Sequence, residues 1–204
     1  MSMDLGQGDN ESFQESSMPT ANLTLTSSEL REVTVFALSA AIEVLPIFEA
    51  DRPSDPRPRQ AIEAAHKVVD GAPRSKLQRI AAPAAHRAAK QASSRAAFHA
   101  AMAAGDAGAS MYLHPLANAT QVNHILRATA HAACAFELVQ PDLGDATDPL
   151  ARAVQRATPT LITVLHRYPA TSPGSSRVSQ LVHQLDTTLR NKNRLLCLHE
   201  ATQR

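Results

Sequence analysis

The residues best able to do chemistry in this chain are nine histidines and two cysteines. His124 and His131 are the best-placed histidine pair on one element. They stand seven residues apart, roughly 10.5 Å along a helix axis at 1.5 Å per residue, and a single metal ion with ligand bonds near 2 Å cannot take both. No His-Glu-x-x-His and no Cys-x-x-Cys occurs. A cross-helix pair such as His86 with His99 is the remaining route to an ion, and no resident metal is expected. Cys134 and Cys197 each sit in a helical apolar pattern, which reads as a buried, inert thiol rather than a nucleophile. Phosphate-cradling glycine loops and the Gly-x-Ser-x-Gly elbow are both missing. The expectation is no catalytic residue and no cofactor.

One helical face is unusual. Ala117, Gln121, His124, Ala128, His131 and Ala135 line up opposite the large apolar residues Val122, Ile125, Leu126, Ala133 and Phe136. Small and hydrogen-bonding side chains alternate there. Either this is a second buried face with histidines satisfied by neighbours, or it is a groove that recognises a partner or ligand. His114-Pro115 reads as the start of this helix, with the side chain of His114 near orphan backbone N–H groups.

The elements that must carry these residues are helical throughout. Thr26-Ser27-Ser28-Glu29 reads as a capping box. Leu30, Val33, Ala37, Ala41, Val44 and Phe48 follow on one face, and Pro46 should kink or loosen the last turn. Asp55-Pro56 opens a second helix that stops at Gly71. A third starts near Pro73 with Leu77, Ile80, Ala84 and Ala88 on its apolar face, bent or split by Pro83. Residues 81–109 are about half alanine. Alanine is the best helix former, so this stretch reads as helix, and Ala101, Gly105 and Ala109 form a row of small residues that marks close packing. Asp148-Pro149 caps a helix interrupted at Pro159 and ended by Tyr168-Pro169. A last helix carries Val178, Leu181, Leu185 and Leu189. The fold class expected is all-α: a compact bundle of about seven helices over residues 26–200, after a disordered acidic, Ser-rich tail over 1–25.

Composition narrows the partners. Hydrophobic residues make up 44% and aromatics only 3%, with no Trp. The core must therefore come from Ala, Leu, Val and Ile. The net charge of +1 provides no global pull toward nucleic acid, and stacking aromatics are nearly absent. No run reaches about 18 apolar residues, so no membrane span is expected. Two unpatterned cysteines and no leader-like N-terminus suggest a reducing, cytoplasmic setting.

Several phrases carry a family resemblance. Val44-Leu45-Pro46-Ile47-Phe48-Glu49, then Asp55-Pro56-Arg57-Pro58-Arg59-Gln60-Ala61-Ile62, resembles the opening of a bacterial family of immunity proteins, Ala-rich and helical. Tyr112-Leu113-His114-Pro115-Leu116-Ala117, Ala119-Thr120-Gln121-Val122 and His124-Ile125-Leu126 resemble it too, as does Arg167-Tyr168-Pro169 with Pro173-Gly174 and Arg177-Val178. The resemblance spans roughly 29–190. It departs at the last turn, where Ser175 and Ser176 stand in place of glycine and basic residues. It implies a non-enzymatic protein that binds a cognate toxin or other protein. Some relatives carry an exonuclease-like label, but this chain has none of the phosphate-loop or zinc-hook chemistry such a label needs. The partner-binding candidates are Asp55, Arg57, Arg59, Tyr112, His114, Gln121, His124 and His131. The alternatives are a small helical ligand-binding protein or enzyme using His114, His124 or His131, and a nucleic-acid-associated accessory protein.

Overall fold

The computed structural model describes residues 23–73, 75–114, 116–141 and 148–202, with side chains described up to residue 192. Most of the expected tail, residues 1–22, and the side chain of Cys197 lie outside the described residues. Eight α-helices are present among those described, and no strand: α1 Ser27–Asp51, α2 Arg57–Val69, α3 Lys76–Ala89, α4 Arg95–Ala109, α5 Val122–Val139, α6 Pro149–Arg156, α7 Pro159–His166 and α8 Arg177–Thr202. Short 3-10 turns at Ser110–Tyr112 and Ala119–Gln121 join α4 to α5. The all-α bundle expected from periodicity is the observed fold.

Local chemistry explains the boundaries. The Thr26 hydroxyl accepts the Glu29 N–H at 3.2 Å, and the Glu29 carboxylate accepts the Thr26 N–H at 2.8 Å, which closes the capping box of α1. Pro46 does not end α1. The carbonyl it frees belongs to Ile42, on the exposed side of the helix. Asp55 accepts the Arg57 N–H at 3.2 Å at the start of α2. Gly71 takes a φ of 98° at the end of α2, a conformation that suits glycine, and the Ala72 N–H reaches back to the Lys67 carbonyl at 2.8 Å. The chain already packs before Thr26: Leu23 and Leu25 lie against the core, inside the stretch expected to be tail.

α4 is the centre of the molecule. It packs against α1, α2, α3 and α5, and nearly every residue from Ala96 to Gly108 is buried. A core made mostly of alanine surrounds it, with Phe48, Met111, Leu45 and Val44 as the larger members. A second core of Leu, Ile and Val is built from α5 to α8 and the start of α1, around Ile125, Leu126, Leu161, Leu165, Leu181 and Tyr168. α5 is the wall between the two. Ala128, Ala132 and Ala135 face the first core, and Val122, Ile125 and Leu126 face the second.

Two sequence expectations are corrected here. α3 starts at Lys76, because Ser75 and Gln78 form a capping box of their own. Its buried face is Gln78, Ala81, Ala82, Ala85, Ala88 and Ala89, while Leu77 and Ile80 are 45% and 53% exposed. The reason is distance. A Cβ on Gly108 would sit 3.2 Å from the Cβ of Ala82, so α3 and α4 are too close for a larger side chain. Gln78 anchors this face by donating to the Ala64 carbonyl at 3.0 Å. Pro83 does not split α3; it lies on the exposed side. The second correction concerns α5, which begins at Val122 and not at His114-Pro115. Asn118 caps the preceding 3-10 turn through the Thr120 N–H at 2.8 Å, and the stretch carrying His114 is not helical.

α1 is long and apolar enough to cross a membrane by length and composition alone, with a mean hydropathy of 1.8. Here it is a core helix, with Val33, Ala37, Ala41, Val44 and Phe48 fully buried.

Burial at alanine positions yields a stability test. Ala104→Leu forces three extra heavy atoms into a closed contact and should cost about 1–3 kcal/mol. Leu77→Ala should fall within about 0.5 kcal/mol of the parent. Urea denaturation of the two variants checks both expectations.

Candidate functional site

A polar network that joins three helices in the interior converges on a residue that sequence reasoning missed, Asp106 on α4. It is 3% exposed. Arg127 of α5 grips its carboxylate through Nε at 2.9 Å and Nη2 at 2.6 Å. His86 of α3 reaches it through Nε2 at 3.1 Å, and Nε2 of His131 lies 3.7 Å away. Burial opposes ionisation of Asp106, but the hydrogen bonds from His86 and Arg127 outweigh it and hold the carboxyl below its ordinary range. Gly105 makes this approach possible. A Cβ there would fall 2.2 Å from the His86 ring, so only glycine lets the imidazole lie across α4 onto the next residue.

His131 continues the network. Its Nδ1 meets Nδ1 of His99 at 2.8 Å, and Phe98 packs edge-on against His99 at 5.2 Å between centroids. Two doubly protonated rings would set N–H against N–H. Burial pushes His131 down to about 4, and burial followed by the charge of Arg95 lowers His99. The pair is therefore neutral near pH 7. With Asp106 nearest Nε2 of His131, the proton of that ring belongs on Nε2, which makes Nδ1 the acceptor from His99. His124, one turn before Arg127, is lowered by burial and then by the Arg127 charge.

This arrangement ties α3, α4 and α5 together. Its carboxylate is committed to a two-pronged guanidinium and an imidazole. Cys134 lies across α5 in the second core, its thiol pushed up to about 11 by burial. Among the described residues no group of three His, Cys, Asp or Glu side chains is placed to hold a metal ion. The histidines weighed from sequence as a cross-helix pair, His86 and His99, instead find Asp106 and His131.

The sequence-derived candidates do not form one cluster. Asp55 and Arg57 pair with each other at 2.5 Å, with Arg57 also donating to Gln91, and Arg59 grips Glu49 at 2.6 and 2.7 Å. These three stitch the α1–α2 corner beside the start of α4, where the Ser93 N–H donates to Asp51. Tyr112, His114 and Gln121 lie beyond the other end of α4, about 22 Å away by helix rise. There Tyr112 sits under Arg79, at 6.0 Å from the ring centroid. Gln121 is buried, and its Oε1 accepts the His114 N–H at 2.9 Å. The His114 side chain is exposed, His124 is half-buried and His131 is buried. The face carrying Gln121, Ala128, His131 and Ala135 is thus a second buried face. Asp106 was missed because a lone acid among alanines shows no spacing; its partners come from α3 and α5.

A family model described as Imm-5 like putative immunity protein matches residues 23–159. The chain belongs to this family. No curated protein and no solved structure matches it. The Imm-5 like match takes in α1 to α6, the whole Asp106 network and all eight sequence-derived candidates. α7 and α8, which complete the second core, follow it.

The network sets a pH dependence. The folded pKa of His131 lies below its unfolded value of about 6.5, so the unfolded chain binds the extra proton first. Stability should fall as pH drops from about 6.5 to about 4, by on the order of 3 kcal/mol from this residue, and His131→Asn should flatten that slope in denaturation measured at stepped pH. Gln121→Ala leaves the His114 N–H without its acceptor and should cost about 1–2 kcal/mol. An unchanged melting temperature would count against the structural role of Gln121.

Proposed function

We propose that this chain is a non-enzymatic immunity protein that binds and neutralises a toxin protein in the bacterial cytoplasm. Membership of the Imm-5 like family carries this reading. The geometry supports it in a second way. His86, Asp106, Arg127, His131 and His99 are committed to one another inside the bundle, and a preformed framework presents its surface with little ordering cost on binding. A histidine-based ligand site draws less support, since His131 is engaged by His99 and His114 lies outside the network.

The test is survival. A strain lacking the gene, grown in contact with its toxin-bearing parent, should lose at least tenfold in viable count, and a plasmid copy of the chain should restore it. A deletion strain that survives as well as its parent would refute the proposal.

A further inference from the structure

The outer face of α3 carries charge of one sign only. Nine arginines elsewhere, from Arg52 to Arg190, form ion pairs with Asp or Glu. α3 carries Lys76, Arg79 and Arg87, with Lys90 at its C-cap, and no acid at all. None of the four cations has an acidic partner among the described residues.

At 100° per residue, Lys76, Ile80, Pro83 and Arg87 fall in one row, with Arg79 and Lys90 along one flank and Leu77 on the other. The two large apolar side chains of this face are the exposed Leu77 and Ile80. At the N-terminal end, Ser75, Lys76, Arg79, Ile80 and Tyr112 enclose an open groove of about 570 Å³. The exposed apolar pair of α1, Val35 and Ile42, stands instead on a helix that carries acids, of which Glu29, Glu43 and Glu49 are paired with arginines. Close packing explains why the α3 alanines point inward, but not why the outward side sets two aliphatic side chains beside four cations that have no acidic partner among the described residues.

We infer that the outer face of α3, with the Tyr112 groove at its end, is the surface that docks an acidic patch of the neutralised protein. This rests on the toxin-binding reading above. Ile80, Leu77 and Tyr112 supply the desolvated centre, and the four cations supply the rim that sets orientation and encounter rate. A phosphate backbone would use the cations but not the aliphatic row between them. An anionic bilayer would ask for a wider apolar face than two side chains offer.

The deciding experiment uses the mixed-culture survival assay with the full chain. A charge-reversed variant (Lys76→Glu, Arg79→Glu, Arg87→Glu, Lys90→Glu) and the pair Leu77→Ala, Ile80→Ala should each lose protection at least tenfold while keeping the parental helical signal and melting temperature. Val35→Ala with Ile42→Ala on α1 should protect fully. If the unaltered chain protects and both α3 variants protect equally well, the α3 assignment is wrong and the toxin-binding reading stands. If the unaltered chain fails to protect, the toxin-binding reading falls and the α3 assignment falls with it. A melted charge-reversed variant hands the decision to the aliphatic pair, which removes no charge. Titration with a 20-base-pair DNA duplex and with phosphatidylglycerol vesicles at 150 mM salt should show no saturable binding. Submicromolar binding to either, lost in the charge-reversed variant, would overturn the assignment to a protein.

Discussion

The carboxylate of Asp106, held by Arg127 and His86, is the contact on which the arrangement of α3, α4 and α5 depends. A charge buried to this degree costs several kcal/mol in lost hydration, and that cost is offset only by well-aimed partners. The fork of Arg127 provides two hydrogen bonds at fixed spacing. Three helices must therefore sit at one mutual height and rotation. The surrounding alanines cannot impose this, because a methyl group packs against its neighbours almost equally well after a small slide. The network contributes direction where the apolar core contributes only closeness.

Closeness has its own consequences. Gly105 lets an imidazole lie across α4, and Gly108 brings α3 against it. With methyl groups on the inner face of α3, the larger aliphatics are left outside. The same steric limit that makes the first core tight thus keeps Leu77 and Ile80 out of it. The second core, rich in Leu and Ile, obeys ordinary large-side-chain packing, and α5 reconciles the two by presenting alanines on one side and branched residues on the other.

Ion pairs organise the surface differently. Exposed pairs contribute little stability individually, and their effect here is to neutralise. The α1–α2 corner is closed by Asp55–Arg57 and Glu49–Arg59, and α6 is joined to α1 by Arg152 and Arg156 on Glu43. Charges spent on the fold in this way are less available to a partner. The candidates drawn from the Asp55–Arg59 turn are among them, whereas Tyr112 borders the cationic face of α3.

Much of this protein was legible in its sequence. Periodicity and caps specified an all-helical chain, because the Thr26–Glu29 box, Asp148 before Pro149 and Gly71 each act within a single turn. The face of α5 carrying Gln121 and His131 was visible as a second face. Local signals could not say which side of α3 is inside, where α5 begins, or that Asp106 matters. Hydrophobicity points Leu77 and Ile80 inward, but the inter-helix distance set by Gly105 and Gly108 turns them out. His114-Pro115 looks like a helix start until Asn118 and Gln121 claim the backbone groups nearby. Asp106 has no partner within its own helix; Arg127 and His86 lie 21 and 20 residues away in sequence. Spacing along one element reveals what that element does for itself. Contacts that satisfy a buried charge, and the crowding that excludes a large side chain, exist only once three helices meet.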